Sequence, residues 1–249
     1  MRKSISAIAA LALTAAATPA FAADTLWLDS NHTSYANYYG VGQALTFSAG
    51  SVTATVSGWS INDSGNIAAA RLGVWNEGLG VLNTSNDNSH TIDNSGFIDF
   101  ILLQFDQVVE LESARFNTGW HNMSDTDATI GFAISALPFS MPSTLSGLSS
   151  AFSLYGSDAG SGWGNTGNSG DSTRNINPAG NAGNLWLIGA SFDSPDKKLD
   201  GFKLEKLKFT TPPPAVPEPA TWLMMILGFG LVGGVMRAKR RENLTVSYS

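Results

Sequence analysis

The chain has 249 residues, of which 43% are apolar and 14% are charged, against roughly 25% charged in an average soluble domain. It contains no cysteine, which excludes disulfides, cysteine-ligated metals and thiol catalysis. Residues 23–216 hold 8 of the 14 basic and 18 of the 20 acidic residues, a formal net charge of −10 that excludes nucleic acid as a partner.

The first 22 residues have the three parts of a secretory signal peptide. Arg2 and Lys3 give a positive start, and an uncharged run rich in Ala and Leu follows. Ala20 and Ala22 place small residues where a signal peptidase cleaves, so we predict cleavage after Ala22. Export, with signal peptidase as the first partner, is therefore expected.

Residues 23–210 consist mainly of short segments bounded by Gly, Asn, Asp and Ser. Val52, Ala54 and Val56 alternate with small polar residues, and the later segment around Leu102 is apolar on both faces. About eight to ten segments of this kind predict an all-β ectodomain, an antiparallel β-sandwich or jelly roll with little helix.

A glycine-rich stretch interrupts this pattern at residues 156–184, and its eight glycines predict a long surface loop. Trp163 lies between two of these glycines, so we expect it to be exposed and to be the best candidate for stacking on a carbohydrate ring. Trp59, Trp75 and Trp186 fall in alternating segments and are predicted to be buried. Packing of the tryptophans beside a disordered loop is the alternative to sugar binding.

Groups of acidic turn residues around Asp93, Asp125 and Asp193 are the candidate metal ligands. Asp125 and Asp127 offer the best oxygen pair for a structural Ca²⁺, although turn carboxylates also commonly bond to their own backbone. No other cofactor is expected. The sequence contains no nucleophile elbow, zinc-protease helix or phosphate-binding loop, so no catalytic residue is assigned and no enzyme is predicted.

The C-terminal region begins with a proline-rich linker at residues 211–216 and continues with Pro-Glu-Pro at 217–219. Residues 220–236 carry no charge, and a basic cluster follows them. Seventeen helical residues rise roughly 25 Å, a short but feasible transmembrane helix. The basic cluster predicts a cytoplasmic tail at residues 242–249, with the ectodomain on the other side of the membrane.

These C-terminal residues resemble the PEP-CTERM sorting signal in its Trp-containing variant. The resemblance is carried by Pro217, Glu218, Pro219, Trp222, Gly228, Phe229, Gly230, Arg237, Lys239, Arg240 and Arg241. It implies an exported protein of a Gram-negative bacterium whose sorting signal, residues 217–241, is recognised at the inner membrane and cut by an exosortase, a membrane cysteine peptidase. Proteins with this signal typically accompany extracellular polysaccharide production.

The ectodomain carries a second resemblance, to β-rich domains of exosortase-dependent surface proteins. It rests on residues 90–96, 99–106, 108–111, 119–120, 124–127 and 201–204, which are mostly turns and core positions. This resemblance implies a fold and no chemistry.

Three functions agree with these observations. The first is a non-catalytic cell-surface or extracellular-matrix protein associated with an exopolysaccharide. The second is a carbohydrate-binding module for the organism's own exopolysaccharide, and the third is an extracellular hydrolase whose site assembles only in three dimensions. A sorting tail is an address shared by all three, and the absence of catalytic motifs disfavours the hydrolase.

Overall fold

The computed structural model describes residues 23–83, 90–118, 125–157, 172–193, 198–211 and 219–241. The strands in these residues are β1 (Ala23–Trp27), β2 (Asn37–Tyr38), β3 (Leu45–Ala49), β4 (Val52–Ile61), β5 (Ile67–Ala69), β6 (Arg71–Trp75), β7 (Gly78–Leu82), β8 (Ile92–Asp93), β9 (Ile98–Asn117), β10 (Ala128–Ala133), β11 (Ser153–Ser157), β12 (Ser172–Asn175), β13 (Gly183–Ala190) and β14 (Gly201–Thr210). The two helices are α1 (Leu145–Ala151) and α2 (Pro219–Arg241). The chain divides into two units, of which Phe21–Pro212 contains the strands and α1, and the other contains α2.

The strands form one continuous antiparallel network with two sheets. The first, named the β4 sheet, has the order β11-β10-β13-β9-β4, with β3 and β5 on the far edge of β4. The second, named the β14 sheet, begins β12-β9-β14. The other edge of β14 pairs with β1, β7 and β8, and β6 and β2 follow β7. Every pair of strands within the described residues is antiparallel, so the predicted antiparallel β architecture is confirmed.

Strand β9 belongs to both sheets because it is 20 residues long. Residues 98–105 pair with β4 and β13, and residues 110–117 pair with β14 and β12. Between these halves, Asp106 and Gln107 are exposed, which suits the point where the strand leaves one sheet for the other.

The main core lies between the two sheets and contains side chains from both. In β4, Val52, Ala54 and Val56 are buried in it while the intervening threonines are partly exposed. Leu204 and Phe209 of β14 belong to the same cluster. The period-2 pattern therefore places alternate side chains in one apolar layer, and burying a large aliphatic or aromatic side chain contributes about 1.5–3 kcal/mol.

A second apolar cluster covers the opposite face of the β4 sheet. Phe100 and Leu102 of β9 pack there with Leu148 of α1. Thr144 caps α1 by accepting a hydrogen bond at its Oγ1 from the Gly147 amide, 3.2 Å away. This cluster explains why the middle of β9 is apolar on both faces, whereas the outer face of the β14 sheet carries charged and aromatic side chains.

The structure differs from the expectations in the glycine-rich stretch at residues 156–184. Its described end contains β12 and the start of β13 in place of a loop. The reason is that Ile176 is buried in the main core and Arg174 lies over the ring of Phe116, 4.2 Å from the ring centroid. Trp163 lies outside the described residues.

Candidate functional site

The predicted sorting residues fall on and just before α2. The helix begins at Pro219, a favourable first helical residue because proline has no amide hydrogen to leave unpaired. Pro217 and Glu218 lie outside the described residues, as do Ala20 and Ala22 of the predicted cleavage site. Lys239, Arg240 and Arg241 lie in the last turn of the helix backbone.

The described side chains of α2, residues 222–237, are all exposed. They include Trp222, Phe229 and Arg237. A Cβ atom added to Gly228 or Gly230 would meet nothing within 4 Å. The predicted span, residues 220–236, is helical throughout. Among the residues that the structure describes, no helix combines the length and the apolar character needed to cross a membrane.

The structure brings Asp125 and Asp127 together with Asp200, a residue that the sequence places in a different acidic group. All three are buried, and one carboxylate oxygen from each lies within 4.8 Å of the others. Ligand oxygens around Ca²⁺ lie about 2.3–2.6 Å from the ion, so this spacing suits calcium. Calcium binding stays a prediction. The sequence groups Asp200 with Asp193 and Asp196 instead, because the 73 residues between Asp127 and Asp200 give no local spacing signal.

Hydrogen bonds and cations already hold this acidic cluster. The Thr126 amide donates to Asp125, and Asn94 donates from its Nδ2 to Asp200 over 2.6 Å. Lys198 lies 3.4 Å from Asp125 and is 40% exposed. The backbone bond to Asp125 is the kind of contact that the alternative interpretation of turn carboxylates predicts.

Arg174 of β12 is a second cation beside the cluster. Burial lowers the pKa of Arg174 to about 10, and Asp127 and Asp125 oppose this shift by favouring the charged guanidinium. Its Nη2 donates to the Thr126 carbonyl over 2.8 Å. Arg174 therefore supplies positive charge to the same buried region that calcium would occupy.

The tryptophans do not all lie where the sequence predicts. Trp186 is fully buried, as expected. Trp59, also predicted to be buried, is only half-buried, and it packs against the cluster that α1 covers. The prediction of a buried Trp75 is wrong: it is half-buried on the outer face of the β14 sheet, because Leu72 and Val74 take the core-facing positions of β6.

Trp75 lies flat on this outer face over a pair of glycines. Gly73 and Gly80 are register partners, and a Cβ on Gly73 would overlap the Trp75 ring. The His90 ring stacks on Trp75 with 10° between the planes, and the Lys203 ammonium is 4.4 Å from the ring centroid. Burial lowers the pKa of Lys203, and the carboxylate of Glu77 opposes this shift.

Trp27 of β1 forms a similar arrangement on the same face. Its ring stacks on His32 with the ring centroids 3.8 Å apart, and the Lys206 ammonium lies 4.4 Å from its centroid. His32 also contacts the buried carboxylate of Asp29 at 2.9 Å. Sequence reasoning missed these pairs because Trp27 and Lys206 come from opposite ends of the ectodomain.

The chain thus consists of a β-rich unit followed by a helix that ends in basic residues. Residues 215–241 match the family model of the PEP-CTERM protein-sorting motif. The chain therefore carries this motif, consistent with a PEP-CTERM protein and exosortase substrate. The motif implies export and sorting to the cell surface, with exosortase as the processing partner. Comparison with curated proteins and with solved structures gives no match.

Proposed function

We propose that the chain is a non-catalytic protein of the cell surface or extracellular matrix, which exosortase releases from an inner-membrane intermediate. The observation that carries this proposal is the sorting motif at residues 215–241. The N-terminal residues 1–22 are proposed to be a signal peptide that signal peptidase removes, because an exosortase substrate must first cross the inner membrane.

The membrane intermediate is supported by the uncharged residues 220–236 of α2. Their helical length of roughly 25 Å is shorter than a hydrocarbon core of about 30 Å. Local thinning of the bilayer and the basic residues that follow would accommodate the difference. A short, weakly held segment of this kind suits a substrate that stays in the membrane only until it is cut.

The absence of catalysis is supported by the surroundings of two histidines. His32 stacks on Trp27, and His90 stacks on Trp75. These contacts pack the imidazole rings against aromatic neighbours in a surface cluster.

The domain is proposed to act by association with an exopolysaccharide. A carbohydrate-binding module is the second candidate, because aromatic rings lie on the outer face of the β14 sheet.

The experiment that tests the proposal is mass measurement of the mature protein from cells of the native host. We expect a wild-type product that lacks residues 222–241. The Glu218→Ala variant should remain longer and membrane-retained, because it lacks the only charge in the Pro-Glu-Pro segment. Glu242→Ala is the matched control, since it removes a carboxylate just beyond the basic cluster, and it should be processed normally. A wild-type product that keeps residues 222–241 would show that the tail is a plain anchor.

A further inference from the structure

The outer face of the β14 sheet concentrates the few cations of the ectodomain. Five of the eight basic residues in residues 23–216 lie on this face, although the whole segment has a net charge of −10. The strand pattern places them there because their neighbours in β6, β9 and β14 point into the main core. The five are Arg71, Arg115, Lys203, Lys206 and Lys208.

Three of these cations line one shallow groove. Arg115, Lys206 and Lys208 surround it together with the hydroxyl-bearing Thr25, Ser113 and Thr173, and its volume is about 240 Å³. Pairing across the strands aligns Lys206 with Arg115 and Lys208 with Ser113. The groove, named the cation groove, therefore combines positive charges with hydroxyl groups at the spacing of neighbouring strands, about 5 Å.

Carboxylates of the same face already contact two of the groove cations. Arg115 lies 2.6 Å from Glu205, and Lys208 lies 2.7 Å from Glu112. Both pairs are partly exposed, with Lys208 51% and Arg115 33% exposed. Glu205 is only 18% exposed and also accepts a hydrogen bond from Asn117, so its pair with Arg115 is the more firmly held of the two. An exposed ion pair such as Lys208–Glu112 is typically worth only about 0.2–1 kcal/mol, so another carboxylate can compete for Lys208.

Lys206 has a different environment from the other two. Its ammonium lies over the Trp27 ring, 4.4 Å from the ring centroid. A cation–π contact leaves the N–H donors of a lysine able to bind an acceptor. The indole also presents apolar surface beside the charge, which is the combination that a charged sugar ring needs.

We propose that the cation groove binds the carboxylate groups of an acidic polysaccharide. Lys206 and Lys208 meet the carboxylates, and Arg115 lies beside them. The threonines and Ser113 exchange hydrogen bonds with sugar hydroxyls, and Trp27 borders the rings. Elsewhere the domain is strongly acidic and repels a polyanion, so electrostatic attraction guides the polymer to this face. The inference rests on the proposed exopolysaccharide association and specifies where the polymer binds and which charge it carries.

The test measures binding of the full chain in detergent to polygalacturonate, to its methyl ester and to duplex DNA. The methyl ester has the same rings without the charge, and DNA has the charge without the uronate rings. We expect binding to polygalacturonate that weakens with salt and is at least tenfold tighter than binding to either other polymer. The double variant Lys206→Gln, Lys208→Gln should bind roughly tenfold more weakly.

Two further variants separate the groove from net charge. Lys206→Arg, Lys208→Arg keeps both charges and should retain binding. Lys198→Gln removes a cation outside the groove and should change the affinity less than twofold. Unfolding midpoints measured for each variant show that the fold is kept.

Several results would overturn the proposal: no binding to polygalacturonate, equal binding to the methyl ester, binding to DNA as tight as to polygalacturonate, or an equal effect of Lys198→Gln. Correct processing of the tail together with such a result would reject the cation groove and leave the sorting function intact. Failure of processing would reject the sorting function without reference to this groove.

Discussion

Gly73 decides where the Trp75 side chain lies. Because a Cβ atom at Gly73 would overlap the indole, we predict that Gly73→Ala displaces Trp75 from the sheet. The cost should be about 1–3 kcal/mol of unfolding free energy, as for other overpacked sites. Urea unfolding measures this cost, and quenching of tryptophan fluorescence by acrylamide should increase in the variant.

Gly156→Ala provides a matched control for this prediction. Gly156 also lies in a strand, β11, but an added Cβ would meet nothing within 4 Å. The control should change the unfolding free energy by less than about 0.5 kcal/mol or raise it slightly, because alanine restricts the unfolded chain. Equal destabilisation by both substitutions would mean that contact with Trp75 is not the cause.

Tyr155 makes the stability of the fold depend on pH in the alkaline range. Its hydroxyl donates to the Ile176 carbonyl over 2.8 Å. Burial raises the pKa of Tyr155 above its ordinary value, and a hydrogen bond with Asn181 partly opposes this. The folded state therefore keeps a proton that the unfolded state releases above about pH 10, so this contribution to stability is lost as pH rises beyond that value.

We therefore compare wild type with Tyr155→Phe by urea unfolding at pH 8 and pH 11. At pH 8 the variant should be less stable by about 1–2 kcal/mol, because a buried carbonyl loses its donor. At pH 11 this difference should shrink, since phenylalanine does not titrate. Every other residue is the same in both proteins, so the comparison isolates Tyr155. A difference that stays constant between the two pH values would contradict the assignment.

At the scale of elements, Arg174 fastens β12 to the rest of the domain. It covers Phe116 of β9, bonds to the Thr126 carbonyl and faces Asp125 and Asp127. We predict that Arg174→Met, which keeps much of the apolar contact, lowers the unfolding free energy by about 2–4 kcal/mol. Arg174→Lys keeps the charge but lacks the planar stacking surface. Its unfolding free energy should therefore lie between those of the wild type and Arg174→Met.

Thermal unfolding of the wild-type protein tests the hypothesis that Asp125 and Asp127 bind calcium. If Ca²⁺ supplies part of the positive charge at this cluster, EDTA lowers the wild-type Tm and added Ca²⁺ restores it. The Asp127→Asn variant should then lose this response. An unchanged wild-type Tm in EDTA would contradict calcium binding and leave Arg174 and Lys198 as the described cations beside the cluster.

The elements that the sequence predicts correctly are those whose signal is local. Alternation in β4 and the doubly apolar middle of β9 each reflect neighbours along one strand, and both are confirmed. Strand β12 was missed because its sequence, STRN, is polar and its pairing with β9 depends on residues far away in the chain. The Asp200 contribution and the outward position of Trp75 likewise depend on non-local pairing. By contrast, the sorting motif is contiguous and could be identified from its residues alone.

At the scale of the whole molecule, the residues that stabilise the β domain and the residues of the sorting motif lie in different units. Both apolar clusters consist of residues between Leu26 and Phe209, so the burial that stabilises the β domain does not include α2. The sorting motif at residues 215–241 adds the information for exosortase.

The last prediction concerns a chain that ends after Thr211. Because it keeps every residue of both clusters, its urea midpoint should equal that of the full chain, and its circular dichroism should remain that of a β protein. Without residues 212–249 the shortened chain has no sorting motif. It should therefore be absent from the membrane fraction without cleavage by exosortase. The result should be the same in cells that lack this peptidase. The full chain should require the peptidase for release. A lower midpoint of the shortened chain would show that the tail contributes to folding, and retention of the shortened chain in the membrane would show that a segment other than the sorting signal anchors it.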